Sequence, residues 1–252
     1  MSIPAYLVLG TSLSGRRGIC VDVCKNALPE SKVAVFISEN ETTSDDDTLL
    51  ASLENVSVVK YSTNTEEKIA ELANNGTEVV IFVADSSKNL ADEIENFKAL
   101  TELGVIHLAR IWAVVDCKML EMFPKKVEGY INAMSHFADC MLFAQRSGVA
   151  NSVVNDLTSR LQKECKPHLL IYVDKRNMVK NPIELTIEET RRISMLFDEY
   201  DLEDELDIDE ENLPEEPFSL ERKPDPYLEK LQNGVRKNPI PNVVEFAKQA
   251  HQ

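Results

Sequence analysis

The chain has 252 residues, 43% of them hydrophobic, and a formal net charge of −16. That length can bury a large core, as one domain with an appendage or as two small domains, and the negative charge argues against a nucleic-acid or anionic-membrane surface. No apolar run approaches the roughly 20 residues of a membrane-spanning helix; the N-terminus has no basic region leading into an apolar stretch, and five cysteines without framework spacing predict reduced thiols in a cytoplasm.

The first apolar run, residues 6–9, leads into Gly10, then Thr11, Ser12, Leu13 and Ser14, then Gly15; a helical pattern occupies 16–28. This is the spacing of the phosphate-cradling loop G-x-x-x-x-G-K-[ST], with Arg16 at the lysine position and Arg17 at the hydroxyl position. In such a loop the backbone N–H groups attract anions at a helix N-terminus, the lysine neutralises the β/γ-phosphates and the hydroxyl holds Mg²⁺. An arginine can still meet a phosphate. A second arginine at the hydroxyl position offers no acceptor and repels a divalent cation. The plain alternative is a glycine turn of the kind that joins many a strand to a helix.

Further along, apolar runs at 33–37, 56–59, 79–84, 111–115, 140–143 and 169–173 predict strands. Several are nearly continuous in Val, Ile and Leu, as in strands covered on both faces. Helical patterns at 66–74, 91–103, 127–137 and 152–165 alternate with them, which predicts a parallel sheet flanked by helices on both sides. After residue 173 the character changes. Thr186 with Glu188 and Glu189 opens a helix predicted through 197, residues 198–216 are densely acidic, prolines recur from 214 to 241, and 243–250 read as a short helix. The predicted division is an α/β domain over 1–178 and an acidic, proline-rich, helical and partly extended appendage over 179–252.

Outside the loop, chemistry is sparse. Cys20 and Cys24 lie four apart on one helix face and could hold half a metal site, but buried small hydrophobes are the default for free cysteines. No metal is predicted. His107, His136 and His168 have no partner at ligand spacing and read as structural, and no nucleophile signature appears. The acidic run reads as a solvated face; its Leu202, Leu206, Ile208 and Leu213 also suit a protein-binding segment.

Taken in order, these motifs resemble the CobW/UreG/HypB group of P-loop GTPases and metallochaperones, CobW most of all, over roughly residues 5–167. The segment from Lys32 to Asn40 is similar to the family's second strand, with Ser38 at the Asn of its Asn-Glu ending and Glu39 keeping the carboxylate. The segment from Val79 to Lys88 is similar to the strand ending in Glu-x-Ser-Gly, with Asp85 for Glu, Ser87 for Ser and Lys88 for Gly. Asp116 matches the family's Val-Asp-Ala ending. The family's Asn-Lys-x-Asp loop becomes Ala144, Gln145, Arg146 and Ser147. Its Cys-x-Cys-Cys metal motif falls near residues 61–65, where no soft ligand stands.

The resemblance implies a P-loop NTPase-like three-layer α/β fold with a mostly parallel sheet. Loss of the Lys-Ser/Thr pair, the glycine, the base-reading carboxylate and the thiolate site together predicts a domain that kept the fold and lost the chemistry. The expected function is a non-hydrolysing binding or regulatory module with no cofactor, meeting a protein partner or a second copy. The alternative is a residual NTPase binding GTP or ATP with magnesium, with Arg16 in the lysine's role. The loop arginines are expected to be neutralised by Asp85 (an Arg17–Asp85 pair) or Glu39, or by a phosphate-like anion.

Overall fold

The computed structural model describes residues 2–62, 64–72, 74–198 and 224–252. Among these, seven strands, β1 (Ile3–Gly10), β2 (Val33–Ser38), β3 (Val56–Tyr61), β4 (Val79–Val83), β5 (Ile106–Asp116), β6 (Cys140–Ala144) and β7 (Leu169–Tyr172), form one sheet. Their order is β3-β2-β4-β1-β5-β6-β7, and every pairing is parallel. The two-residue period of a strand sends alternate side chains to opposite faces. In β1, Ala5, Leu7 and Leu9 enter one core while Tyr6 and Val8 enter the other.

Helices cover both faces. Ile19, Cys20, Val23 and Cys24 of α1 (Arg16–Asn26) and Leu50 of α2 (Asp45–Ala51) pack on the Tyr6–Trp112 side. The other side receives α3 (Thr65–Leu72), α4 (Leu90–Glu102), α5 (Cys117–Met122), α6 (Pro124–Phe137), α7 (Asn151–Lys163) and α8 (Val244–Ala250). This is the three-layer α/β architecture expected. Because all strands run the same way, their C-terminal ends gather at one edge, the usual place for a ligand crevice. Gly10, Ser38, Asp85, Asp116 and Gln145 all lie at or just beyond strand ends there.

The helix expected over 186–197 does not form. A 3-10 turn at Pro182–Leu185 is followed by an irregular strap with turns and bends, because acceptors elsewhere in the fold take its backbone donors. Arg191 and Arg192 N–H groups donate to Asp139 Oδ1 at 2.6 and 3.1 Å, and those of Ile193 and Ser194 to the His136 carbonyl at 3.2 and 3.0 Å. Asp225 accepts from Ser194 Oγ at 2.5 Å and lies 2.7 Å from His136 Nε2. Val179 and Leu185 join one core; Ile240, Val243 and Ala247 join the other. Beyond Asp198, the predicted acidic run lies outside the described residues.

Candidate functional site

The loop from Gly10 to Gly15 joins the central strand β1 to α1, in the strand–loop–helix context that its spacing predicts. Thr11 and Ser14 are buried, Ser12 and Leu13 exposed. The Ser14 N–H and Oγ both donate to the Thr11 carbonyl, at 3.2 and 2.8 Å, closing the turn. Gly15 caps α1 with a left-handed φ of 87°, a conformation that costs glycine little and most other residues more. Gly15 and Gly18 also admit a close neighbour. A methyl group on Gly15 would collide with Asn177 Oδ1 and stand 3.0 Å from Gln145 Nε2, and one on Gly18 would stand 2.6 Å from Asn177 Nδ2. The Asn177 side chain therefore lies over the first turn of α1, held there by a tight turn in which Asp174 Oδ1 accepts from the Arg176 and Met178 N–H groups.

The first turn of α1 carries two arginines and no acid, against the preference of a helix N-terminus for negative charge. Carboxylates from the segment after β2 supply the offset. Arg16, fully buried, donates from Nη2 to Glu41 Oε1 and from Nη1 to the Ala84 carbonyl. Arg17 donates from Nη2 to Glu41 Oε2 and from Nη1 to Asp47 Oδ1 and Oδ2, at 3.1 and 3.0 Å, and to the Thr42 carbonyl at 2.8 Å. Glu41 Oε1 also accepts the Ser86 N–H at 2.8 Å. Burial works to raise the Glu41 carboxyl, but the Arg16 charge and the bonds from Ser86 and Arg17 outweigh it and hold it below the usual carboxylate range. Two buried cations thus meet two buried anions, with Lys60 3.5 Å from Asp47 and Asp46 beside Arg17 at the rim of the cluster.

The expected partners, Asp85 and Glu39, are not the ones used. Asp85 accepts from Ser38 Oγ at 2.7 Å, Asn40 Nδ2 at 2.8 Å and Ser87 Oγ and N–H at 2.6 and 2.9 Å. Burial pushes its carboxyl up, but these bonds prevail and hold it at about 2. Its acceptor capacity is spent on neutral donors, so no Arg17–Asp85 pair forms. Glu39 is half exposed and sits 3.9 Å from Lys68. Asp116 is buried at the end of β5; its Oδ1 caps α5 through the Lys118 and Met119 N–H groups, and its Oδ2 lies 2.7 Å from His251 Nε2. In the segment corresponding to the base-reading loop, Ala144 is buried in β6 and Gln145 turns back against Gly15 with φ 55°. Arg146 donates to the Val173 carbonyl and stacks on Tyr172, and Ser147 is exposed.

The site is therefore larger than the predicted set by Glu41, Asp47, Asn177 and His251. The pairing of Ser44 with Asp47 is a capping box, a signal legible in the sequence. Nothing local marks Glu41 or Asn177. Cys20 and Cys24 are buried, and burial raises both thiols, Cys24 to about 12. No cluster of metal-ligating side chains occurs among the described residues. His168 is buried between Ser135 Oγ and the Ala138 carbonyl, and His136 bonds Asp225. Both hold neighbouring segments together.

No protein-family model and no curated relative matches the sequence. Solved structures do match in shape, and they are P-loop GTPases. The zinc-bound YjiA GTPase from E. coli aligns over 76% of this chain and 67% of its own, with TM-score 0.50 and 16% identity. The signal recognition particle receptor FtsY from Elizabethkingia anophelis, in complex with GDP, aligns over 79% and 65% with TM-score 0.52 and 14% identity. FtsY from Thermotoga maritima aligns over 74% and 69% with TM-score 0.50 and 14% identity. The fold is an α/β P-loop NTPase-like one.

Proposed function

We propose that this chain is a degenerate CobW-like relative of the P-loop GTPases that acts as a non-hydrolysing binding or regulatory module. One observation carries the reading. The two side chains at the positions that in an active loop neutralise phosphate and hold Mg²⁺ are arginines neutralised by the chain's own Glu41 and Asp47. A magnesium–nucleotide complex does not fit this donor set. Arg17 offers no oxygen to a metal, and Asn177 fills the space against Gly15 and Gly18. Ser147 cannot accept the paired hydrogen bonds that select guanine. Asp85, the acid expected on the metal side, is bonded to Ser38, Asn40 and Ser87. A residual NTPase using Arg16 would require that side chain to leave both Glu41 and the Ala84 carbonyl.

The module works through protein contacts, with another protein or with a second copy. No helix among the described residues is long and apolar enough to cross a membrane, and Cys20, Cys24, Cys117 and Cys140 are buried free thiols, which suits a reducing cytoplasm. Steady-state assays of the purified chain with Mg·GTP and Mg·ATP test the reading. The expected result is no magnesium-dependent release of phosphate. Turnover of about 1 s⁻¹ or more, within the ordinary enzymatic range, refutes it.

A further inference from the structure

We infer that the Glu41 carboxylate is the built-in occupant of an oxyanion position formed by Arg16, Arg17 and the Ser86 N–H beside this loop, so that the Glu41 clamp and an external oxyanion exclude each other. This rests on the non-hydrolysing reading and adds to it what holds the loop shut. Three donors from two places converge on one carboxylate: Arg16 Nη2 and Arg17 Nη2 at the start of α1, and the Ser86 N–H beyond β4. Such a convergence of fork-shaped guanidinium donors and a backbone N–H is the arrangement that recognises phosphate as well as carboxylate. The cluster has donors to spare. Among the described residues, Arg16 Nε and Arg17 Nε are buried without an acceptor. A carboxylate has two oxygens to offer them; a pyrophosphate has more.

Charge makes the two states exclusive. With Glu41 and Asp47 in place the two buried guanidinium charges are matched, and a further buried anion would stand beside two carboxylates, which burial strongly disfavours. An incoming oxyanion must displace Glu41, which competes as a tethered ligand at high effective concentration. Displacement would also free the segment that carries Glu41. Residues 39–47 are fastened to α1 by Arg17 bonds to the Thr42 carbonyl and Ser44 Oγ as well as to both acids. That segment leads into α2, whose Leu49 is half exposed. In the clamped state its position is set without any ligand.

The test is a calorimetric titration of pyrophosphate, without magnesium, into the wild-type chain and into Glu41→Gln. Pyrophosphate is expected to bind the variant at least about tenfold more tightly, equivalent to about 1.4 kcal/mol. Adding Arg16→Ala to the variant is expected to remove the gain. Equal affinity for the two folded chains overturns the inference, as does a gain that survives the loss of Arg16. If Glu41→Gln is obtained unfolded, its refolding is followed by circular dichroism with and without pyrophosphate. Recovery with the anion alone is the expected result, and failure under both conditions overturns it. Nucleotide turnover by the wild-type chain defeats the non-hydrolysing reading whatever the variant does, so the two failures are distinguishable.

Discussion

Two clusters of arginines sit at different places in the sheet, and they close their charges differently. Beside Asp139, which precedes β6, Arg110, Arg191 and Arg192 tie the C-terminal strap to the sheet. Arg110 donates to the Glu184 and Glu189 carbonyls, and Asp139, fully buried, accepts the N–H groups of Ile111, Arg191 and Arg192 and lies 3.5 Å from the Arg192 guanidinium. Arg110 and Arg191 also meet the Glu189 carboxylate, and Arg192 meets Asp198, so acceptors from several segments share these charges and the contacts act as folding contacts. At the C-terminal edge, Arg16 and Arg17 follow the glycine loop, and one side-chain carboxylate, Glu41, is shared by both while Asp47 meets Arg17. The same residue types thus give a fixed joint in one place and an exchangeable one in the other. The difference lies in the sharing: Glu41 alone is bonded by both loop arginines, whereas the strap arginines spread over Glu184, Glu189, Asp139 and Asp198.

Removing the acceptor at the fixed joint should have the largest effect. Asp139→Ala strands three backbone N–H groups, although Arg192 keeps Asp198, and should lower unfolding stability by about 3–5 kcal/mol. Pyrophosphate should not restore it, which chemical denaturation with and without the anion will show. Glu41→Gln keeps an amide oxygen in place, yet leaves one buried arginine charge uncompensated, and should cost about 3 kcal/mol. Here added pyrophosphate should recover part of the loss. Recovery in both variants, or in neither, would erase the contrast between the two clusters.

Asp85→Asn should cost about 2 kcal/mol near neutral pH, and the sign of its pH dependence can be worked out. The folded carboxyl is held at about 2 against an ordinary 3.8, so its contribution is complete above the ordinary value and is lost as pH falls from about 4 to about 2. Denaturation measured across that window should show a steeper loss in the wild type than in the variant. The smallest expected effect belongs to His251→Ala, which removes one partner of Asp116 while Asp116 keeps the Lys118 and Met119 N–H groups. It should cost about 1 kcal/mol by the same denaturation measurement.

Much of this architecture is legible in the residues. The apolar runs mark every strand of the sheet, and Gly10 and Gly15 mark the loop. Departures trace to interactions that no local pattern carries. β5 begins at Ile106, not at 111, because His107 and Arg110 interrupt the apolar run while the backbone still pairs with β1. α2 escapes the apolar pattern because Asp45, Asp46 and Asp47 resemble a polar loop, although they favour a helix N-terminus once Ser44 caps it. The strap over 186–197 has helical residues, but its N–H groups find Asp139 and the His136 carbonyl. That the loop arginines need carboxylates follows from charge and the helix dipole alone. That Glu41 meets them, two residues beyond Glu39, depends on how the chain turns after β2.

The most direct test of a loop closed from within is a calorimetric titration of Mg·GTP into the wild-type chain, with Mg·ATP as the comparison. With Glu41 and Asn177 in place, no saturable binding is expected at nucleotide concentrations up to about 1 mM, the upper end of ordinary substrate constants. Micromolar binding of Mg·GTP, tighter than that of Mg·ATP by more than about tenfold, would contradict it.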